Sequence, residues 1–284
     1  MTPTAHVIGD PIAQSKSPLI HGFWLDKLGI PGVYETRHVT PENLSDYLLE
    51  MRENPDWVGC NVTMPHKRAV MYEMYDVDHK AEAAGAVNTV LSQEDGTLLG
   101  TNTDIDGFLE PLREELKKQH YFRMARIIGT GGAARAIVWA LAEEGFTLVL
   151  AGRNPDKAQA ILDELAPDGE HHVIHLDHFA EPTDFAFDDR EGCLDLVVNA
   201  SPLGMTGDPS LKFDWSHAPP GSIAYDIVTS PADTPFLQAA RAAGHETING
   251  FAMLIGQAAF AFEKFFGVAP PREHDVELME MLTQ

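Results

Sequence analysis

Residues 61–70 read NVTMPHKRAV, small polar groups and a proline followed by Lys67 between His66 and Arg68. A lysine here is either an ordinary surface charge or a group that gives and takes a proton. KRAV reads as a helix start, where a cation meets the unfavourable end of the helix dipole. The chemical role therefore needs a partner. Asp104, in GTNTDIDG (100–107), is the acid that could provide one. An ammonium and a carboxylate about 4 Å apart attract by about 4 kcal/mol at a protein-surface dielectric. Such a pair could exchange the proton of an alcohol undergoing oxidation. Asp106 is the better N-cap for the helix DGFLEPL, which leaves Asp104 as the reactant, and Arg68 is the better solvated charge.

Other polar residues gather at the ends of strand-like segments: Ser15 and Ser17 after AHVIGDPIAQ, Asn61 and Thr63 after WVGC, then Asn88 and Asn102. Each alone reads as a local cap or turn residue. Together they are hydroxyls and amides suited to a small polyhydroxylated molecule. Ligands in open α/β sheets bind outside the carboxyl ends of the strands, so these residues are expected to converge.

A second chemistry is written in IIGTGGAARA (127–136), a G-x-G-x-x-A turn at Gly129, Gly131 and Ala134 between an apolar strand and an Ala-rich helix. Glycines there let a pyrophosphate sit against backbone N–H groups at the helix N-terminus. In NAD-binding units an acid at the end of the next strand bonds the ribose 2′-hydroxyl. Here TLVLAG ends at Gly152 and Arg153 follows, with Lys157 a turn later. Cations in place of the acid suit a 2′-phosphate, so NADP is expected rather than NAD. Asp156 reads as a first-turn acid of the following helix.

The elements that must hold these groups alternate. AHVIG (5–9), GVYETRHV (32–39) and WVGCNVT (57–63) read as strands, separated by helices over 17–29 and 41–54. This order implies a mostly parallel sheet covered by helices. LSQEDGTLLG (91–100) reads as a hairpin about Asp95-Gly96, and 106–119 as one amphipathic helix. From Ala125 a second alternating series runs through strands at TLVLAG, 171–176, 194–201 and 222–228, and the chain closes on helices from 251 and about 273. The acidic stretch 181–192 is expected to face solvent.

Composition narrows the partners. The 284 residues carry 43 acids against 20 Lys and Arg, a net charge of −23. Such a polyanion repels nucleic acid and anionic membranes, so neither is expected as a partner. Two cysteines, Cys60 and Cys193, give neither a disulfide framework nor a metal cluster. The opening TPTAHVIGDP has no basic start and no apolar run, so no signal peptide is expected and the expected location is cytoplasmic.

GDPIAQSKSPLIH, NVTMPHK, GAVNT, GTNTDIDG, GTGGAARA, NASPLGM and NGFAMLIGQ occur in the order seen in shikimate dehydrogenases. The chain resembles that family from residue 8 to about 257. The resemblance implies two α/β domains with a cleft between them. Residues 1–104 with 251–284 would bind substrate, and 105–250 would form a Rossmann-type NADP-binding domain, the C-terminal helices returning to the first. It implies NADPH-dependent reversible reduction of 3-dehydroshikimate, with Lys67 and Asp104 as the catalytic pair. Ser15 and Ser17 would hold the substrate carboxylate, and Thr63, Asn88, Asp104 and Gln257 the ring hydroxyls. Gly129, Thr130, Gly131, Gly132, Ala133, Gly152, Arg153, Asn154 and Lys157 would hold NADP, with Ile227 and Gly250 near the nicotinamide. Family members are monomers or homodimers.

The chain departs from the family at Gly22, where Asn is usual, at Thr229, where Tyr is usual, and at Thr130 and Gly152. A Thr at the second serine position accompanies quinate use in the family, so Ser17 points to shikimate. The readings in competition are an NAD-dependent quinate or quinate/shikimate dehydrogenase, and an NADP-binding sensor that catalyses nothing.

Overall fold

Short apolar strands commit the first hundred residues to one sheet. In β1 (Thr4–Gly9) Ile8 faces one apolar layer and Val7 the other, as the two-residue period of a strand requires. The computed structural model describes residues 2–187 and 190–283. β1 is followed by α1 (Ser17–Leu28), β2 (Val33–His38), α2 (Leu44–Arg52), β3 (Trp57–Val62), β4 (Asp76–Val77), α3 (His79–Ala84), β5 (Thr89–Ser92), β6 (Leu98–Thr101) and α4 (Asp104–Leu109). The strand order is β2-β1-β3-β5-β6-β4. β1 runs parallel to β2 and β3, whereas β5 is antiparallel to both β3 and β6. The hairpin forms as expected. Gly96 adopts a left-handed φ of 78°, and the Asp95 carboxylate accepts the Thr97 N–H at 2.9 Å.

The second series begins with α5 (Arg113–Leu116) and β7 (Phe122–Ile128). It continues through α6 (Gly132–Glu143), β8 (Thr147–Gly152), α7 (Pro155–Leu165), β9 (His172–His175), β10 (Cys193–Asn199), β11 (Ile223–Asp226), α8 (Pro235–Ala242) and β12 (Glu246–Ile248). All pairings in this sheet are parallel, in the order β12-β11-β10-β7-β8-β9, the strand order of a Rossmann-type unit. α9 (Gly250–Phe266) and α10 (Asp275–Thr283) end the chain. The contacts divide the molecule into one unit of residues up to Gly107 with those from Ile255 onward, and another from Phe108 to Leu254. The fold is thus α/β in both units, and the C-terminal helices return to the first.

Two local expectations differ. The helix expected over 106–119 is broken: α4 ends at Leu109, a 3₁₀ turn spans Glu110–Leu112, and α5 is a separate short helix. Pro111 has no N–H to continue an α-helical ladder. KRAV does not start an α-helix either; Lys67 and Arg68 lie in a turn that leads to a 3₁₀ segment, Ala69–Glu73. β4 and β12 are two and three residues long, too short to show a period. In the acidic stretch 181–192 most side chains are exposed, and Asp188 and Asp189 lie outside the described residues. Among the described residues no helix is long and apolar enough to cross a membrane.

The first sheet is covered on one face by α2 and on the other by α9, whose Ala261 and Phe265 join Val7, Tyr34 and Leu91. His21 of α1 is fully buried here, its ring stacked on Tyr34 with centroids 3.8 Å apart and planes 4° from parallel. Trp24, Phe262, Phe265 and Phe266 enclose it. Neither ring nitrogen has a hydrogen-bond partner among the described residues. Burial alone pushes its pKa down to about 3. At Gly22 an added Cβ would meet nothing within 4 Å, so the loss of the usual side chain there strains nothing.

Candidate active site

Lys67 is set by the turn that follows β3. His66 N–H bonds Thr63 O at 3.0 Å, and the His66 ring is buried with Nε2 bonded to Val39 O at 2.7 Å. Lys67's own carbonyl accepts the Val87 N–H at 2.8 Å. With its backbone pinned on both sides, the lysine reaches Asp104 Oδ2 at 2.5 Å; the two side chains are 16% and 7% exposed. Asp104 opens α4, an acid in the first turn, where the dipole favours negative charge. Asn102 Oδ1 accepts the Asp104 N–H at 3.0 Å, and Asn88 Nδ2 donates to Asp104 Oδ1 at 2.9 Å. Asp106, expected to cap α4, lies inside the first turn instead and is paired with Lys80 at 2.6 Å. The side-chain oxygen at the helix start belongs to Asn102.

The other polar candidates of the first unit stand as follows. The Ser15 hydroxyl accepts the Ser17 N–H at 3.3 Å, so the two serines meet where the chain enters α1, with Ser17 buried as its first residue. Thr63 presses on the end of β1: a Cβ at Gly9 would lie 2.5 Å from Thr63 Cγ2, so only glycine permits that approach. Gln257 of α9 packs on α4, where a Cβ at Gly107 would lie 2.4 Å from its backbone nitrogen. This brings Gln257 within a turn of Asp104. Tyr34, Thr89 and Thr103 also belong to this hydrogen-bonded cluster, and no sequence signal pointed to them because each reads as an ordinary strand or loop residue.

In the second unit Gly129 has φ +124°, and a Cβ there would lie 2.5 Å from Ala200 O. Glycine is thus required for β7 to turn against the end of β10. Gly131 is the N-cap of α6, where no side chain caps the helix, no acid occupies the first turn, and an added Cβ would meet nothing within 4 Å. The open N–H groups starting at Gly132 and Ala133 fit a pyrophosphate. Thr130 fills the space beside Gly152: a Cβ at 152 would lie 2.9 Å from Thr130 Cγ2. The two departures from the family pattern are therefore in contact. Arg153 and Lys157 are exposed and, among the described residues, have no ion-pair partner, which fits a 2′-phosphate. Asn154 caps α7 by accepting the Lys157 N–H at 3.1 Å.

Ile227 and Gly250 meet, since a Cβ at Gly250 would lie 2.6 Å from Ile227 O. The preceding Asp226 organises this segment: it accepts from Asn199, from the Val228 N–H and from the Thr234 hydroxyl. Burial pushes its pKa up to about 6 against those hydrogen bonds. Thr229 is half-buried in the same loop. No group of three or more His, Cys, Asp or Glu among the described residues could hold a metal ion.

Family models for the shikimate dehydrogenase substrate binding domain and the shikimate 5′-dehydrogenase C-terminal domain match residues 7–90 and 250–280. A shikimate dehydrogenase (NADP(+)) of Sphingopyxis alaskensis is 47% identical over 99% of this chain and 97% of its own. The crystal structure of shikimate 5-dehydrogenase from Thermus thermophilus with NADP(H) and shikimate superposes with a TM-score of 0.83 at 33% identity, covering 99% and 100% of the two chains. Quinate dehydrogenase from Corynebacterium glutamicum with NAD gives 0.82 at 30% identity over 99% of each chain. Near full-length identity, joined to a buried Lys–Asp pair in one unit and a glycine turn in the other, means that the chain belongs to the shikimate dehydrogenase family.

Proposed function

We propose that this protein is an NADP-dependent shikimate dehydrogenase that reversibly reduces 3-dehydroshikimate to shikimate. The observation that carries the reading is the Lys67–Asp104 pair, largely removed from solvent and bonded further to Asn88. Taking two charges out of water is costly, and a sensor that only binds NADP has no use for the pair. In reduction the Lys67 ammonium gives a proton to the carbonyl oxygen as its carbon is reduced. In oxidation the Lys67 amine takes the hydroxyl proton back. Asp104 fixes Lys67 over that oxygen and offsets its charge. Ser15 and Ser17 take the substrate carboxylate, and Thr63, Asn88 and Gln257 take the ring hydroxyls beside Asp104.

The first unit is the substrate-binding domain in this reading, and the second is the cofactor domain. Gly129, Thr130, Gly131, Gly132 and Ala133 cradle the pyrophosphate, and Gly152, Arg153, Asn154 and Lys157 take the adenosine end. Ile227 and Gly250 border the nicotinamide. NADPH, when bound, supplies the hydride that the carbonyl carbon takes up.

The test offers shikimate and quinate with NADP⁺ and NAD⁺ in all four combinations while absorbance is followed at the reduced-nicotinamide band. Shikimate with NADP⁺ is expected to be fastest. A quinate rate matching it would overturn the substrate assignment, and an equal NAD⁺ rate the cofactor assignment. Arg153→Ala is expected to weaken NADP⁺ about 30-fold and NAD⁺ less than about threefold, since a hydrogen bond to a charged group is worth about 2 kcal/mol. Equal losses for the two cofactors, measured by fluorescence titration, would count against a 2′-phosphate contact.

A further inference from the structure

Behind Asp104 lies a line of buried polar side chains that the proton chemistry does not use. Asn61 on β3 stands directly opposite Thr89 on β5 in the antiparallel ladder. Tyr34 on β2 reaches over β1 to join them. The Tyr34 hydroxyl donates to Asn61 Oδ1 at 2.5 Å, Asn61 Nδ2 donates to Thr89 Oγ1 at 2.9 Å, and Thr89 Oγ1 donates to Asn88 Oδ1 at 2.9 Å. Asn88 Nδ2 then donates to Asp104 Oδ1 at 2.9 Å.

The direction of the line is fixed by backbone groups that have only one option. The Thr103 N–H, which can only donate, meets Asn88 Oδ1 at 2.7 Å, so the Asn88 nitrogen must face Asp104. The Asn88 carbonyl, which can only accept, meets Asn61 Nδ2 at 3.4 Å, so the Asn61 oxygen must face Tyr34. Thr89 receives a hydrogen from Asn61, which leaves its own for Asn88. Each link from Tyr34 to Asn88 thus passes a hydrogen towards the Asp104 carboxylate, with Thr103 Oγ1 as a side branch that accepts from Asn88 Nδ2 at 3.0 Å, and aligned bonds in a dry environment reinforce one another.

We propose that Tyr34, Asn61 and Thr89 are positioning residues, a one-directional hydrogen-bond relay that holds Asn88, and through it Asp104, in register for proton exchange with Lys67. The proposal rests on the dehydrogenase reading above. Thr89 is the best point to cut it, being fully buried and bonded on both sides. Thr89→Val keeps the shape and removes the hydroxyl, while Thr89→Ser keeps the hydroxyl. In the valine variant Asn88 keeps the Thr103 N–H on its Oδ1 but loses the Thr89 hydroxyl from that oxygen, so the amide that faces Asp104 is held less firmly.

The experiment measures kcat and KM for shikimate with NADP⁺ in both variants, normalised to folded protein by circular dichroism. Thr89→Val is expected to lower kcat about tenfold with KM changed less than about threefold, the signature of a contact that matters most in the transition state. Thr89→Ser is expected to stay within about twofold of the wild-type kcat, because one hydroxyl replaces another. A valine variant within twofold of wild type, or a serine variant that loses as much as the valine, would overturn the relay and leave the dehydrogenase reading standing. Should Thr89→Val not fold, Tyr34→Phe decides: a kcat loss of about fivefold at nearly constant KM supports the relay, and an unchanged kcat overturns it. A wild-type chain inactive on every substrate overturns the dehydrogenase reading and the relay with it.

Discussion

Lys67→Ala lowers kcat for shikimate oxidation about 10³-fold, the middle of the range for a positioned general acid or base. Affinity for NADP⁺ changes by less than about twofold, because the residues proposed to hold its pyrophosphate and 2′-phosphate belong to the second unit and Lys67 is not among them. The loss falls on kcat rather than KM because Lys67 acts on the proton that moves in the transition state, while the serines and amides proposed to hold the ring are untouched. Removal of the lysine leaves Asp104 with its bonds to Asn88 and to its own N-terminal turn. A buried carboxylate without its cation is costly, so a lower melting temperature accompanies the change. Rates are therefore compared at equal folded concentration, with NADPH fluorescence titration as the binding control. A variant that keeps more than a tenth of wild-type turnover would remove Lys67 from the proton chemistry.

Acid stability should depend on His21 about as strongly. Its imidazole titrates near 6.5 when exposed and is pushed down to about 3 when folded. Between those values the unfolded chain binds a proton that the native chain refuses, so stability falls as pH drops through that window. Above about 6.5 the contribution is fully present. From pH 7.5 to 4.5 the wild type should lose about 2–3 kcal/mol through this one group. His21→Phe keeps a ring against Tyr34 and removes the titration, although the larger ring can cost about 1–3 kcal/mol of overpacking. That cost does not depend on pH, so the informative quantity is how the difference between the two proteins changes with pH. Urea midpoints at pH 7.5 and 4.5 give it. His6, pushed to about 4, is common to both proteins and cancels. If the difference is the same at both pH values, the buried neutral imidazole is not what sensitises the fold to acid.

The sequence by itself determined the elements that carry a strong local signal. Short apolar runs set β1, β3, β7, β8, β10 and β11, alternation set β2, and the Asp95-Gly96 hairpin follows from the backbone freedom of glycine. The glycine turn before α6 and the cations after β8 were legible because both are fixed by neighbours a few residues away. Where a signal was weak or a second local rule intervened, the reading slipped. Pro111 split the expected helix, a turn replaced a helix start at Lys67, and Asp106 fell inside the first turn of α4 instead of capping it.

What only the tertiary structure decided is which distant residues meet. Lys67 and Asp104 are 37 positions apart, and they touch because β5 pairs with both β3 and β6, bringing the chain that follows each strand to one end of the sheet. Tyr34, Asn61 and Thr89 sit on three strands and read as unrelated residues until the order β2-β1-β3-β5 sets them in line. Thr130 and Gly152 were two separate departures until their atoms proved to share one space. Propensity and capping act over a few residues, whereas sheet order is settled by pairing and burial across the whole unit. Local sequence therefore specifies the strands and turns, and the assembled sheet specifies the hydrogen bonds between them.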